Sequence, residues 1–199
     1  MFIKINQDYP LNDKFIKEPI AYFKKYGENI KAGTTIYDEN GKIKDDPNAV
    51  KNIKTLNIVG KHININKGQV LKSGYIFYEA IIISYAQACG LHGPNLIGIA
   101  RNYDYNLFFT EKINGIRGNN LEEQLLPTAM RLCEELRIQY EKKGLIRKFK
   151  MKDMIFDIQN NQIIKIIPTD FERTKLDEQK LDKILWNKIV NEFEQYFNN

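Results

Sequence analysis

The sequence YIFYEAIIISYAQACGLHGPNLIGIARNYDYNLFFTEKI, residues 75–113, is the most informative stretch of the chain for its fold. Residues 74–90 are apolar on all sides and predict a mostly buried helix that ends at Gly90. Two β-prone runs follow, residues 95–101 and 107–113, with a short polar turn between them. A buried helix beside strand pairs indicates the α+β class.

The residues before this stretch predict β-structure. Residues 30–43 carry turn signals at Ala32-Gly33 and at Asn40-Gly41, around the β-prone run TTIY, and predict a hairpin. Residues 55–66 alternate β-branched and polar side chains and predict a strand. Short strands therefore dominate the first half of the chain.

The residues after 118 predict a more helical second part. Residues 121–143 have apolar side chains at three-to-four spacing, as in an amphipathic helix that Pro127 either kinks or starts. Residues 154–167 predict a hairpin, and residues 176–197 predict a closing helix. The predicted order is β-β-β-α-β-β and then α-β-β-α, which is a two-lobed α+β pattern.

The composition excludes several classes of protein. The chain has 199 residues, the size of one ordinary domain, and its 43% hydrophobic and 28% charged residues exclude a disordered or fibrous chain. The two cysteines, Cys89 and Cys133, are too few for a disulfide framework and lack zinc-ligand spacing. The N-terminus shows no Sec-type signal, and the apolar stretch at residues 75–90 is too short to span a bilayer. We expect a soluble protein from a reducing compartment.

The basic charge, +5 at neutral pH, leaves two interpretations open. The densest basic run, residues 142–152, surrounds Phe149 with Arg147, Lys148 and Lys150. It is either a solvated surface or a contact for phosphate, a nucleotide or an acidic partner. No RNA motif with interleaved aromatic residues is present, so specific nucleic-acid binding is not expected.

Motifs for hydrolytic chemistry are missing, and phosphoryl transfer is the chemistry that remains. Only His62 and His92 could serve in a histidine-based triad, and the sequence contains no GxSxG, HExxH, Walker A or GxGxxG. Lys61 lies at the end of the strand-like run IVGK. Glu79 follows 18 residues later on the apolar helix, where a carboxylate needs a partner.

These segments, in this order, resemble a reduced protein kinase, similar in size to the kinase effectors that bacterial pathogens secrete into host cells. In that family a lysine on the third strand holds the ATP phosphates and pairs with a glutamate on the next helix. Lys61 and Glu79 match those positions. LHGPNLI, residues 91–97, resembles the turn after that helix, and LFFTEKING, residues 107–115, resembles the fifth strand and hinge.

The resemblance also implies ligand contacts. The hinge would receive adenine on the backbone at Glu111 and Ile113. IIKIIPTDFE, residues 163–172, resembles the strand that leads into the Asp-Phe-Gly motif, so Asp170 would hold Mg²⁺. Gly33 is the candidate for phosphate contact in the glycine-rich loop, which has few glycines here.

The catalytic loop departs from the family pattern. Counting back from MIFD, residues 154–157, puts Asp153 at the second metal ligand and Lys148 where the catalytic aspartate is expected. In one interpretation, Asp153 acts as base or metal ligand beside Asp170, and Lys148 or Lys150 neutralises phosphate charge. In the other, the base is lost and the protein is a pseudokinase. The third position of Asp-Phe-Gly is a glutamate, and no Ala-Pro-Glu motif follows.

Unexceptional roles remain open for some of these residues. Lys61 is alternatively a solvated strand lysine, in which case Lys44 is the competing phosphate ligand. Glu79 alternatively belongs to a buried ion pair without a functional role. Asp153 is equally compatible with a surface or helix-cap position.

The function implied by the resemblance is that of an ATP- and Mg²⁺-dependent Ser/Thr protein kinase acting on a host protein. It would be one kinase-like domain over residues 1–199, with an N-lobe at about 20–113 and a C-lobe at about 118–199. It would be a monomer without a membrane span, secreted from the bacterial cytoplasm into the host cytoplasm, and the resemblance allows for an activating host protein. The alternative is an inactive pseudokinase-like module that binds an acidic host partner.

Overall fold

The protein has two compact α+β units. The computed structural model describes residues 1–30, 34–37, 43–46, 50–63, 75–103 and 105–198. The first unit comprises Met1–Ala80 and Asn95–Lys112, and the second comprises Ile81–Pro94 and Ile113–Asn199. The α+β class agrees with the sequence prediction.

The first unit is built on an antiparallel sheet. Its described strands are β1 (Phe2–Lys4), β2 (Glu28–Asn29), β3 (Thr34–Tyr37), β4 (Ile43–Asp46), β5 (Val50–Ile53), β6 (Ile58–His62), β7 (Leu96–Arg101) and β8 (Asn106–Glu111). Six of them form one sheet in the order β1-β7-β8-β6-β5-β2, and β3 pairs with β4 as a separate hairpin. The predicted hairpin and the predicted strand pair β7–β8 are confirmed.

Two short helices, α1 (Asp13–Lys17) and α2 (Pro19–Tyr26), cover one face of this sheet. Asn12 caps α1 by accepting a hydrogen bond from the Phe15 backbone N–H, and a proline opens α2. Phe15 and Phe23 are buried against Phe109 of β8. Burial of these aromatic side chains supplies the hydrophobic core of the unit.

Helix α3 (Tyr78–Ala88) is the buried helix that the sequence predicts. It ends as expected at Gly90, which has a φ of 73°, and the N–H of Leu91 donates to the carbonyl of Ala86. Although α3 is strongly apolar, it is short. No helix within the described ranges is long and apolar enough to cross a membrane.

The second unit contains two longer helices and two small sheets. Its elements are β9 (Ile116–Arg117), α4 (Leu126–Lys142), β10 (Leu145–Ile146), β11 (Met154–Gln159), β12 (Gln162–Pro168), β13 (Lys175–Leu176) and α5 (Lys183–Asn198). The sheets have the orders β12-β11-β9 and β10-β13. Asn160 and Asn161, both at positive φ, form the tight turn of the predicted β11–β12 hairpin. A proline in the first turn starts α4 rather than kinking it.

Several predicted elements start later in the structure than the sequence indicates; α4, for example, starts at Leu126 rather than at residue 121. The strand expected from residue 55 starts only at Ile58, because a 3₁₀ turn and the left-handed Asn57 precede it. The helix expected from residue 176 starts at Lys183, after β13. Asp182 begins this helix by accepting the N–H of Leu185 on its side chain.

Candidate functional site

Lys61 and Glu79 form an ion pair inside the first unit. On β6, Ile58 and Gly60 face the aromatic core, so strand alternation directs Lys61 to the opposite face. Its Nζ lies 2.6 Å from Oε2 of Glu79, in the first turn of α3. The Lys61 and Glu79 side chains are only 17% and 9% exposed. Lys61 is therefore not a solvated strand lysine.

Two other predicted phosphate ligands, Lys44 and Gly33, are described only in part or not at all. Lys44 falls in β4, of which the backbone alone is described, and Gly33 lies outside the described residues. Lys61 is therefore the phosphate-ligand candidate whose side-chain contacts are known: its ammonium donates a hydrogen bond to the buried carboxylate of Glu79.

The backbone of the predicted hinge is partly committed to the sheet. The N–H of Glu111 donates to the carbonyl of Asn95, and the N–H of Lys112 donates to the carbonyl of Asn57. The side chain of Glu111 also accepts a long hydrogen bond, 3.5 Å, from the amide of Asn95. A backbone N–H for adenine would therefore come from Ile113 or a later residue, because the N–H of Glu111 is bonded to Asn95.

The second unit brings Asp153 and Asp170 together around a buried arginine. Nη2 of Arg147 lies 3.8 Å from an oxygen of Asp153 and 3.8 Å from an oxygen of Asp170. The Arg147 side chain is 4% exposed, whereas that of Asp170 is 41% exposed. Two carboxylates thus share one cation, and one of them is accessible to solvent.

Backbone contacts hold the two aspartates in place. Asp153 ends a 3₁₀ turn, and its carbonyl accepts hydrogen bonds from both the N–H and the hydroxyl of Thr169. Asp170 is the next residue, and its carboxylate accepts the N–H of Glu172. Because the β11–β12 pairing continues up to Met154 and Pro168, the hairpin itself sets the positions of Asp153 and Asp170.

Aromatic side chains surround the arginine. The guanidinium lies 5.4 Å from the ring centre of Phe149 and 5.3 Å from that of Phe171. Tyr140 contacts both rings and donates a 2.6 Å hydrogen bond to the carbonyl of His92. Burial raises the pKa of Tyr140, so its hydroxyl remains a donor at neutral pH. These contacts hold Arg147 in an apolar slot.

A glycine and a cysteine support the turn that carries Asp153. A Cβ on Gly118 would lie 2.1 Å from the carbonyl oxygen of Met151, so only glycine fits at this position. On the other side, the Cys133 sulfur lies 3.5 Å from that of Met151. Burial raises the pKa of the Cys133 thiol to about 11, which keeps it neutral and packed as an apolar group.

The two predicted catalytic residues have different surroundings. Asp153 is mostly buried and lies beside Arg147, whereas Lys148 is exposed to solvent, as is Lys150. The structure therefore brings Asp153 into a cluster with Asp170 but does not bring Lys148 into it.

The carboxylate pair fits a magnesium ion only with additional ligands. In the described part of the chain, no three or more His, Cys, Asp or Glu side chains are arranged to hold a metal ion. Mg²⁺ commonly uses one or two carboxylates together with water and substrate phosphates. Asp153 and Asp170 match that partial ligand set.

Sequence reasoning placed Arg147 in the basic run and at the arginine of the His-Arg-Asp motif, but it did not predict that this residue lies at the centre of a cluster with Asp153 and Asp170. The residue stood one position before the expected base, and its basic neighbours favoured a solvated surface. Two signals could have singled it out, namely the aromatic Phe149 two residues later and the separation of Asp153 from Asp170 by one predicted hairpin. No protein-family model matches the chain, and no curated protein is significantly similar to it.

Proposed function

We propose that this protein is an atypical ATP-dependent protein kinase. The observation that carries the proposal is the mostly buried 2.6 Å ion pair between Lys61 on a strand and Glu79 on the following helix. Such a pair is what kinases use to hold the α- and β-phosphates. Burial of two charges is costly, and two apolar side chains of similar volume would often be at least as stable in their place. The presence of the ion pair therefore favours a ligand-related role.

The carboxylate pair supports the same chemistry. In this proposal Asp170 binds the Mg²⁺ that accompanies the nucleotide and neutralises phosphate charge, and Asp153 serves either as a second ligand of that ion or as the base. Lys61 contributes a further positive charge toward the phosphates, and Glu79 orients it. The backbone at Ile113 is the candidate for adenine recognition. Phosphoryl transfer depends mainly on positioning and charge neutralisation, which these groups supply.

Asp153 is also the candidate for the general base, because Lys148 occupies the position where the kinase family has its catalytic aspartate. A carboxylate at this point would accept the proton of a Ser or Thr hydroxyl as the phosphate is transferred. Exposed Lys148 would then attract anionic groups of the substrate. In line with the resemblance to secreted effectors, the proposed substrate is a host protein.

A second candidate function is a nucleotide-binding pseudokinase that docks an acidic partner. Exposure of Lys148, Lys150 and Lys152 favours it, since exposed cationic side chains are able to contact an acidic surface. Charge reversal at Lys148 and Lys150 would weaken such docking without affecting nucleotide binding.

The testing experiment measures melting temperature with and without Mg·ATP. At about 100 times its Kd, a ligand stabilises the fold by about 2.7 kcal/mol. We expect a clear shift for the wild type that is lost in Lys61→Met and in Asp170→Ala. Lys54→Met is the matched control, because Lys54 forms an exposed ion pair with Glu28. An equal shift in Lys61→Met would contradict the proposal.

Transfer of labelled γ-phosphate then separates the two candidates. For a kinase, the wild type labels itself or host-lysate proteins, and Asp153→Asn does not. A wild type that binds Mg·ATP but transfers no label would favour the pseudokinase.

A further inference from the structure

Arg147 combines deep burial with incomplete hydrogen bonding. Within the described residues, its Nε and Nη1 are buried and have no hydrogen-bond partner. Its remaining nitrogen, Nη2, is 3.8 Å from Asp153 and Asp170, which is beyond ordinary hydrogen-bond length. The guanidinium is therefore held by its two aromatic neighbours and by charge, rather than by direct hydrogen bonds.

The charge balance of this cluster explains why the arginine is there. A guanidinium stays protonated in proteins, so one positive charge faces two carboxylates. The net charge of the cluster is negative, and the carboxylate lone pairs are not taken up by direct hydrogen bonds from Arg147. The cluster is thus able to bind a second cation. That cation would be repelled by the Arg147 guanidinium, which lies 3.8 Å from each of the two carboxylates.

We propose that Arg147 is a resident counter-cation that competes with a divalent cation for Asp153 and Asp170. The arginine offsets the repulsion between the two carboxylates, whose positions the hairpin sets, and it lowers their affinity for a bare divalent cation. A divalent cation that arrives with a polyphosphate carries compensating negative charge and meets less repulsion. This last point rests on the proposed function, whereas the competition itself does not.

The test is a titration with Mn²⁺ alone, followed by the electron paramagnetic resonance signal of the free ion. We expect weak binding to the wild type and about tenfold tighter binding to Arg147→Gln, because the competing charge is removed. Arg147→Lys restores the charge and should return the affinity toward that of the wild type. Asp170→Asn in the Arg147→Gln background should abolish the gain, which assigns the site. Equal Mn²⁺ affinity in wild type and Arg147→Gln would overturn the inference.

Two further measurements keep the inference testable if Arg147→Gln folds poorly. Arg147→Met fills the slot between the aromatic rings, and Mn²⁺ should raise its melting temperature more than that of the wild type, because the ion replaces the lost charge. In the wild type, the ¹⁵N resonance of Arg147 Nε should shift on addition of Mg²⁺. Absence of both effects would contradict the inference. Tighter Mn²⁺ binding in the variants without any nucleotide binding would support it and count against the proposed kinase.

Discussion

The two units hold their cations in opposite ways. In the first, the Lys61 ammonium lies 2.6 Å from the carboxylate of Glu79. In the second, the Arg147 guanidinium stands between Asp153 and Asp170, at 3.8 Å from each. The first pair is charge-balanced and directly hydrogen-bonded, whereas the second cluster has an excess of negative charge.

The difference follows from the chemistry of the two cations. An ammonium is a compact charge that can turn its N–H groups toward one carboxylate, while a planar guanidinium stacks on aromatic rings that fix its position. Phe149 and Phe171 thus keep Arg147 from closing on either aspartate. The lysine–glutamate pair therefore balances its own charges, whereas the arginine cluster retains negative charge for a further cation.

The largest expected effect comes from breaking the lysine–glutamate pair. Glu79→Ala removes the carboxylate that lies 2.6 Å from mostly buried Lys61 and should lower the free energy of unfolding by about 3 kcal/mol. Glu28→Ala removes the same kind of partner from exposed Lys54, at 2.7 Å, and should cost less than about 1 kcal/mol. Urea unfolding at neutral pH measures both values. Similar costs would show that burial is not what distinguishes the two pairs.

The double variant Lys61→Met/Glu79→Leu separates a structural role from a ligand-binding role. Apolar replacement of a buried pair is often neutral, so the free energy of unfolding should return to within about 2 kcal/mol of the wild-type value. The stabilisation by Mg·ATP should nevertheless be absent. Urea unfolding and thermal melting with Mg·ATP provide the two readouts. A stable double variant that still responds to Mg·ATP would mean that the pair is purely structural.

Alkaline pH should lower the free energy of unfolding through Cys133, which packs against the turn that carries Asp153. The pKa of this thiol is about 11 when folded, above its ordinary value near 9, so the unfolded chain loses the proton first as the pH rises. The contribution of the neutral Cys133 thiol to the free energy of unfolding is fully present below pH 9. It is lost between about pH 9 and 11, with a magnitude of about 2 kcal/mol. Unfolding of wild type and Cys133→Ala across this range measures the difference. A parallel pH dependence in both proteins would refute this assignment.

The smallest expected effect concerns the aromatic wall of the second cluster, which is formed by Tyr140, Phe149 and Phe171. Tyr140→Phe removes the hydrogen bond to the carbonyl of His92 and should cost about 1 kcal/mol in unfolding free energy. The same change at fully exposed Tyr103 should have no measurable effect and serves as the control. Urea unfolding distinguishes the two, and an unaffected Tyr140→Phe would mean that this bond contributes nothing to the wall.

Features that arise from local patterns could be predicted from the sequence. Helix α3 and its end at Gly90 follow from an apolar run and a glycine, and the β11–β12 turn follows from adjacent asparagines. The need of Glu79 for a partner could also be inferred, because a carboxylate on a buried helix is costly alone. Each of these inferences uses the chemistry of a few neighbouring residues.

Other features escaped prediction because their signals are short or distant. Helices α1 and α2 contain few turns, and their stability comes from burying Phe15 and Phe23 against the sheet rather than from helix propensity. The late start of α5 depends on the pairing of β13 with β10, which lies far away in sequence. Tertiary contacts therefore override the local pattern at these points.

The sequence by itself determined the α+β class, the main helices and hairpins, and the residue types available for a phosphate and metal site, since these depend on periodicity and composition. Only the tertiary structure decided that Arg147 is buried and shared by Asp153 and Asp170, while Lys148, its neighbour in the chain, faces solvent. A basic run has the same local pattern in either case. Burial of one of its members depends on long-range packing, here against Phe171, which no local periodicity encodes.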